Sequence, residues 1–314
     1  MLAQRLRRRV GFSLIELLVV MVIIAIIVAL LMVSVQAIRE AANRVTCANN
    51  LRNIGHAWYN YNTVHGHLPS GGWGWGYVGD PDRPPGKAQG GGWVFAILPY
   101  IEQENLYNMG KGMPAGQKGP EIAKRVQTPI KLMNCPTRRT GGPWTHSWGA
   151  QYAEVLPTRL QQDARGDYAA CCGSQNRDEI FWGPGSYAAG DASGFSDQAV
   201  SLNGVCYQCS EIRFSDVTRG YSNVCMVGER YIDANHYYGG DVGSDNECMY
   251  TGFDNDNYRC TASQPLQDRK GYNNSMIYGS AHRTSFNMLY VDGGVRRVRY
   301  DIDPARWQIS GARE

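Results

Sequence analysis

One segment near the start of the chain restricts its fold more than any other feature. From Phe12 to Ile38 the only charged residue is Glu16, and the run from Leu17 to Val33 is apolar without interruption. A helix of twenty or more such residues crosses the roughly 30 Å hydrocarbon core of a bilayer. The segment therefore predicts a single membrane span. The negative mean hydropathy of the whole chain excludes a polytopic membrane protein.

The charges before this span predict its orientation. Arg5, Arg7, Arg8 and Arg9 lie in the first nine residues, so we expect the N-terminus in the cytoplasm and the C-terminal bulk outside it. The formal net charge is +3, but without these four the remaining 27 lysines and arginines face 28 acids. No nucleic-acid partner is therefore expected. An ordinary signal peptide fits poorly, because the apolar run exceeds the usual length of about 7–15 residues and no A-x-A-like cleavage site follows it.

Glu16 needs an explanation, since a carboxylate within a span costs roughly 2.5–3.5 kcal/mol. The run from Gly11 to Val20, GFSLIELLVV, resembles the N-terminal motif of type IV pilins and type II secretion pseudopilins. The resemblance implies that a prepilin peptidase cleaves after Gly11 and methylates the new amine of Phe12. It also implies that Glu16 neutralises the Phe12 amine of a neighbouring subunit during assembly. A plain membrane anchor is the alternative.

Beyond the span the pattern becomes that of an amphipathic helix. Apolar residues recur every three or four positions, which is typical of one helical face. We expect the part from Val45 onward to pack within the molecule and not to bind a partner, and Gly66 and Pro69 predict the helix end. The apolar positions are Ile38, Ala41, Val45, Ala48, Leu51, Ile54, Trp58 and Tyr61.

These features divide the chain into four parts: a leader at 1–11, a transmembrane and filament-core helix at 12–36, its amphipathic half at 37–65, and an extracytoplasmic head at 66–314. The predicted fold class is α+β and pilin-like, with the long helix packed on an antiparallel β-sheet that has long glycine-rich loops.

Within the head, several short elements are predicted. Residues 66–92 read as an irregular loop, Ile97 to Tyr107 as a helix, and Ile130 to Cys135 as a buried strand. Val224 to Glu229 reads as a further buried strand. Two strand-like runs around Asp292-Gly293-Gly294 predict a hairpin, because such turns need positive φ; the runs are Phe286 to Val291 and Val295 to Tyr300.

The head also resembles a large bacterial family of prepilin-like proteins with an uncharacterised C-terminal domain, sometimes labelled solute-binding. No biochemical activity of that family carries over, and the solute-binding label is not adopted. The chain departs from the family pattern at Arg283-Thr284, where Pro-Gly is common, and in its extra cysteines. The segments that carry the resemblance are Cys47–Gly55, Leu98–Gln103, Cys135-Pro136, Ile212–Asp216, Gly228-Glu229, Gly252–Asp256, and His282 followed after nine residues by Asp292-Gly293.

Nine cysteines in an extracytoplasmic head predict disulfides with one thiol left over. Sequence leaves the connectivity open, and Cys47–Cys135 and Cys248–Cys260 are guesses. The alternative for Cys206-x-x-Cys209 is a zinc or redox centre, but a second close pair and a βαβ context are missing. The cysteines are Cys47, Cys135, Cys171, Cys172, Cys206, Cys209, Cys225, Cys248 and Cys260.

An oxygen-rich cluster formed by Asp241, Asp245, Asp254 and Asp256 could hold calcium, the one cofactor considered. Major pseudopilins, which the chain resembles, often hold calcium in a C-terminal loop. However, the spacing departs from the usual calcium-loop pattern, and Asp and Asn are also common turn residues.

His282 and Asp292 invite a catalytic dyad, but the hairpin explains Asp292-Gly293 without chemistry. The chain has no G-x-S-x-G, H-E-x-x-H or P-loop motif, so no enzymatic activity is expected.

The sequence instead predicts a structural subunit of a type IV pilus-like or type II secretion pseudopilus-like filament or surface fibre. Its partners would be a prepilin peptidase, the inner membrane before assembly, and copies of itself or other pilin-like subunits. The alternative is a ligand- or glycan-binding surface module that uses the prepilin segment only as export signal and anchor.

Overall fold

The computed structural model describes residues 13–152, 156–176, 182–192, 195–198 and 201–314. The chain forms two compact units, one that ends at Asn43 and one from Arg44 to Glu314. A single helix, α1 (Leu14–His65), contributes to both. Gly11 and Phe12, the predicted cleavage site, lie outside the described residues.

The first part of α1 carries apolar side chains that are not buried. From Leu14 to Val35 every large apolar side chain is exposed, by fractions between 45% at Val28 and 82% at Leu14. By length and composition alone, this helix can cross a membrane. The predicted apolar N-terminal helix is therefore confirmed.

The second part of α1 buries one face. This face begins at Cys47 and not at Val45, which is 51% exposed, so the predicted start of the packed stripe was wrong by about half a turn. The helix ends at His65, and Gly66 follows with φ +78°, a conformation that glycine adopts without strain. The predicted helix end is confirmed. The buried residues of α1 are Cys47, Leu51, Ile54, Gly55, Ala57, Trp58 and Tyr61.

Nine strands lie in the described part of the chain and form three sheets. A five-stranded sheet has the order β5-β3-β4-β8-β9; β1 pairs with β2, and β6 with β7. The strands are β1 (Trp144–Tyr152), β2 (Leu156–Asp163), β3 (Tyr168–Gly173), β4 (Cys225–Glu229), β5 (Tyr258–Cys260), β6 (Leu266–Gln267), β7 (Gly279–Ser280), β8 (Ser285–Tyr290) and β9 (Val295–Arg299).

The predicted α+β class with the long helix on a sheet is confirmed, and the five-stranded sheet is antiparallel in three of its four strand pairs. β3 pairs antiparallel with β4 but parallel with β5, where Ala170 lies opposite Tyr258. The predicted strand β4 and the predicted hairpin are confirmed: β8 and β9 pair antiparallel, with Leu289 opposite Val295.

The helix packs on this sheet through β8. A Cβ atom on Gly55 would lie 3.1 Å from the side chain of Leu289, so the helix backbone lies close to the strand. The Tyr59 hydroxyl donates a hydrogen bond to the carbonyl of Val291, just after β8. The rings of Trp58 and Trp93 lie 5.8 Å apart in the same core. Because strand and helix share this core, the second part of α1 belongs to the head.

The helix predicted from Ile97 to Tyr107 is instead three short pieces. They are α2 (Trp93–Ile97), a 3₁₀ helix at Leu98–Ile101 and α3 (Glu104–Tyr107). The break lies at Glu102, whose φ of 61° is left-handed and stops the helix.

The strand predicted from Ile130 to Cys135 is wrong. The segment contains a 3₁₀ helix, Lys131–Met133, because the N–H of Met133 donates to the carbonyl of Ile130 at 2.8 Å and closes a tight turn. The remaining helices are α4 (Gly119–Val126), α5 (Tyr187–Asp191), α6 (Phe195–Gln198) and α7 (Pro304–Ile309), with 3₁₀ helices at Ala115–Gln117, Phe214–Asp216 and Tyr221–Asn223.

Candidate functional site

Glu16 lies in the first turn of α1 and is exposed. Its carboxylate oxygen Oε2 accepts a hydrogen bond from the N–H of Ser13 at 2.9 Å, and the hydroxyl of Ser13 accepts one from the N–H of Ile15 at 3.2 Å. Two first-turn donors are thus satisfied by side chains, as in a capping box. The carboxylate is also held at the positive end of the helix dipole, where a negative charge is favoured.

A second group of side chains converges inside the head. Cys47 on α1, Cys135 after the 3₁₀ helix at Lys131–Met133, Glu229 at the end of β4 and His282 between β7 and β8 bring their sulfur, oxygen and nitrogen atoms within 4.8 Å of one another. We call these four residues the Cys-His-Glu cluster. Each is at most 1% exposed.

The distances within the Cys-His-Glu cluster are short. The two Sγ atoms lie 3.3 Å apart, and Sγ of Cys135 lies 3.8 Å from Nε2 of His282. The same nitrogen lies 3.2 Å from Oε1 of Glu229. The predicted Cys47–Cys135 neighbours are therefore together, as two buried thiols. A disulfide between them stays a prediction.

Hydrogen bonds from outside the cluster orient two of its members. The N–H of Asn287 on β8 donates to Oε2 of Glu229 at 2.5 Å, and the N–H of Cys135 donates to Oδ2 of Asp167 at 2.7 Å. The Cys135 backbone is thus held by a carboxylate that accepts its N–H, and the Glu229 side chain by a backbone donor.

The environment shifts the pKa of each titrating group here in a definite direction. The hydrogen bond from Cys47 lowers the pKa of the Cys135 thiol to about 7, although burial opposes this. The same contact and burial raise the pKa of Cys47. Burial alone would lower the pKa of His282, but its contacts with Cys135 and Glu229 outweigh burial and raise the pKa to about 10. The site therefore brings soft sulfur donors next to an imidazole and a carboxylate.

Two of the aspartates considered for calcium, Asp245 and Asp256, pair with the same arginine, Arg230. Arg230 pairs with Oδ1 of Asp256 at 3.0 Å and also with Asp245. Arg139 pairs with Asp245 as well, with Nη2 2.9 Å from Oδ1. Burial would raise the pKa of Asp245, but Arg139 and Arg230 hold it below its usual range. Buried guanidinium groups therefore already neutralise both carboxylates.

The other two aspartates have different neighbours. Oδ1 of Asp241 lies 2.8 Å from Nδ1 of His236 near the surface, and Oδ1 of Asp254 accepts the N–H of Asn255 at 2.7 Å. Calcium binding by these four aspartates stays a prediction.

The remaining cysteines are also buried. The Cys206 thiol donates to the carbonyl of Pro69 at 3.1 Å, and the Cys248 N–H faces the Tyr152 hydroxyl at 3.4 Å, whereas the Cys260 thiol faces the carbonyl of Met276 at 3.6 Å. Burial raises the pKa of Cys209 to about 12, so this thiol is a poor nucleophile and a poor ligand. The Cys248–Cys260 pairing stays a prediction.

His282 and Asp292 have different partners. Asp292 lies in the β8–β9 turn, where Oδ1 accepts the N–H of Gly294 at 2.9 Å and the carboxylate pairs with Arg296. Gly293 has φ +79°, as the turn requires. The Asp292-Gly293 half of the family motif is thus a turn, while His282 belongs to the Cys-His-Glu cluster.

Comparison with known families gives two matches. A family model described as "Protein of unknown function (DUF1559)" matches residues 36–305. The chain belongs to this family. A second model, described as "Prokaryotic N-terminal methylation motif", matches residues 6–32. This DUF1559 chain is therefore a prepilin-like protein, as both resemblances implied. Searches of curated proteins and of solved structures gave no match.

Sequence reasoning did not connect Glu229 and His282 with the cysteines. One signal could have done so: Cys47, Cys135, Glu229 and His282 each lie in a segment that carries the resemblance to the DUF1559 family. Residues that come together from four such segments mark a shared site, although only the fold shows that they meet.

Proposed function

We propose that this chain is a structural subunit of a filament of the type IV pilus or type II secretion pseudopilus class. A prepilin peptidase would cleave it after Gly11 while it spans the inner membrane with its N-terminus inside. The observation that carries the proposal is the first part of α1, which exposes every large apolar side chain from Leu14 to Val35 and has Glu16 as its only charge.

Such a helix needs apolar surroundings. A contiguous exposed apolar surface of this length is rare on a soluble protein and is typical of a membrane or protein contact. Lipid provides those surroundings before assembly, and like helices from other subunits provide them afterwards. Moving the helix from lipid into such a bundle keeps it out of water at every stage.

Glu16 would fix how neighbouring subunits align along the filament. Oε2 of its carboxylate accepts the N–H of Ser13 and caps the helix, and its other oxygen, Oε1, could accept a hydrogen bond from another subunit. Cleavage after Gly11 would create an amine on Phe12, and the ammonium of a neighbouring subunit would be neutralised by Glu16 away from water. Removing one partner of such a buried pair typically costs about 3–5 kcal/mol, which is enough to abolish assembly.

The test replaces Glu16 by Ala or Gln in the full chain and measures fibres sheared from the cell surface. The expected result is normal membrane insertion without fibres. Glu104→Ala removes an exposed acid from the first turn of α3 and is the matched control, with normal fibres expected. Normal fibres containing Glu16→Ala protein would show that the assembly role is wrong. Intact mass of the exported wild type should show a chain that begins at Phe12 and carries one added methyl group.

The alternative of a glycan- or ligand-binding module finds less support. Trp73 and Tyr77 of the glycine-rich loop are fully buried and pack edge to face, with ring centroids 5.1 Å apart. A glycan array probed with the full chain in detergent tests this alternative, because binding retained by Glu16→Ala would be separate from assembly.

A further inference from the structure

We infer that the Cys-His-Glu cluster binds one Zn²⁺ ion through all four of its side chains. Such a site would fasten α1 to the sheet of the head. It does not depend on the proposed filament role, since all four residues lie within the unit from Arg44 to Glu314.

The spacing of the donor atoms fits a tetrahedral zinc ion. With zinc–sulfur bonds of about 2.3 Å and zinc–nitrogen or zinc–oxygen bonds of about 2.0–2.1 Å, tetrahedral ligands lie about 3.3–3.8 Å from each other. The observed distances are 3.3 Å between the sulfurs, 3.8 Å from Cys135 to His282 and 3.2 Å from His282 to Glu229. Small side-chain shifts are sufficient to enclose the ion.

The chemistry of the donors favours zinc over harder cations. Two thiolates with an imidazole are typical of Zn²⁺, whereas calcium and magnesium take oxygen ligands. All four side chains are at most 1% exposed, so no ligand position opens to solvent. A closed four-ligand set is the arrangement of structural zinc sites and not of catalytic ones.

The groups around the cluster match what metal ligands require. The N–H of Asn287 holds Oε2 of Glu229, which directs Oε1 to the centre of the cluster, and Asp167 fixes the backbone of Cys135. Partners of this kind orient ligands in metal sites.

The position of one carboxylate oxygen favours a metal ion over a simple sulfur–sulfur bond. Oε1 of Glu229 is buried, and its partner is Nε2 of His282 at 3.2 Å, inside the cluster. A disulfide between Cys47 and Cys135 would leave this oxygen as it is, whereas a cation at the centre would be bound by it. Zinc binding replaces the protons of the two thiols and the proton on Nε2 of His282, which are released to solvent, and transfers no electrons.

The ion would link segments that are distant in sequence. Cys47 and Cys135 are 88 positions apart, and Cys135 and His282 are 147 apart. Because the unfolded chain holds no such preformed site, zinc binding would contribute directly to the stability of the head.

The test measures metal content of the full chain, purified in detergent without chelator and then reduced and supplied with zinc chloride. The expected result is one zinc per chain by elemental mass spectrometry. Replacement by cobalt should give the absorption of a tetrahedral site with thiolate ligands. Wild-type protein that holds no zinc before or after addition would overturn the inference. So would a Cys47–Cys135 disulfide peptide from metal-free native protein.

Variants locate the ion. His282→Ala and the near-isosteric Glu229→Gln should lose the bound zinc and lower the melting temperature, and chelator should have the same effect on the wild type. Cys225→Ala removes another buried thiol from β4, outside the cluster, and should keep its zinc. Glu16→Ala should also keep zinc, which separates this result from the filament test. Full zinc retention by both His282→Ala and Glu229→Gln would contradict the assignment.

Discussion

The first unit of the chain exposes apolar side chains, whereas the second buries charged ones. From Leu14 to Val35 large apolar groups are exposed along the whole helix. In the head, six arginines are at most 3% exposed: Arg125, Arg138, Arg139, Arg165, Arg230 and Arg259. Both arrangements oppose the usual distribution of apolar and charged residues.

The difference lies in where the compensating partners are found. Most of the buried arginines meet carboxylates of their own unit; Arg138, for example, pairs with Asp167 at 3.2 Å and Asp268 at 2.8 Å. Arg125 and Arg259 instead donate to backbone carbonyls. The exposed apolar helix finds no burial within the described part of the chain. The head therefore holds its compensating charges itself, while the apolar helix has no such compensation within the described residues.

The largest expected effect comes from breaking the charge network of the head. Arg139 pairs with Asp167 and Asp245, each at 2.9 Å, and donates to the carbonyl of Tyr237 at 3.0 Å. Arg139→Ala would leave both carboxylates without this buried cation and should lower the free energy of unfolding by about 3–5 kcal/mol. Urea unfolding of the full chain in detergent, followed by tryptophan fluorescence, measures it.

The matched control is Arg299→Ala. Its guanidinium is 75% exposed beside Asp301, and its loss should leave the unfolding curve unchanged. If Arg139→Ala were no less stable than this control, the head would not rely on its buried ion pairs. Membrane insertion should be normal in both variants.

A somewhat smaller effect is expected from placing a charge on the exposed helix. Ile24 lies near the middle of the apolar run, and Ile24→Arg should make insertion less favourable by about 2.5–3.5 kcal/mol. Carbonate extraction of membranes should show less inserted protein, and fibres should be lost. Ile24→Leu is the neutral control. Unchanged insertion of Ile24→Arg would mean that this segment does not lie in lipid.

A pH titration sharpens the description of the head. Asp163 is fully buried, and burial raises its pKa to about 7 although Arg165 and His146 oppose the shift. Between about pH 4 and 7 the folded protein keeps a proton that the unfolded chain has released. Stability should therefore fall as pH rises through this interval, by up to about 1.4 kcal/mol per pH unit.

Asp163→Asn removes the carboxyl group that carries this proton. From pH 4.5 to 6.5 the wild type should therefore lose stability relative to the variant, so any stability advantage of the wild type should shrink or reverse. Burial likewise raises the pKa of the neighbouring Glu247, and contact with Glu247 raises that of His146 against the effect of burial. Both groups remain in the variant and also lower stability as pH rises. Only the difference in slope between the two stability–pH profiles is therefore due to Asp163. Parallel pH profiles would show that Asp163 is ionised in the folded state.

Local patterns predicted part of this fold correctly. The β8–β9 hairpin, strand β4 and the helix end at Gly66 depend on residues close in sequence, and turn chemistry and periodicity reveal them. The parallel pairing of β5 with β3 joins Tyr258 to Ala170, and a three-residue strand carries too little pattern to indicate its partner.

The site was only partly predictable for the same reason. Glu16 lies in a continuous motif, and the structure adds only its bond to Ser13. The Cys-His-Glu cluster draws one residue from each of four distant segments, so spacing could not reveal it. Aspartates such as Asp245 read as calcium ligands or turn residues in sequence, because the arginines that neutralise them come from elsewhere in the chain.

The smallest expected effect is a change in stability at Thr284, where the sequence departs from the pattern of the family it resembles. Thr284 lies where the family resemblance led us to expect the glycine of Pro-Gly. It has φ 68° and is exposed, although a left-handed backbone costs a residue with a Cβ about 1–2 kcal/mol. Thr284→Gly relieves this strain but gives the unfolded chain more freedom, so a net gain of about 0.5–1 kcal/mol is expected.

Gly293→Ala provides the opposite control in urea unfolding. Gly293 has φ +79°, and an added Cβ would lie 3.3 Å from the Tyr59 ring, so this variant should be less stable by about 1 kcal/mol. Thr284→Gly should also keep its zinc, because Thr284 lies outside the four ligands. If both variants shifted the unfolding midpoint in the same direction, the backbone strain at Thr284 would not be the cause, since only Thr284→Gly removes a left-handed residue that carries a Cβ.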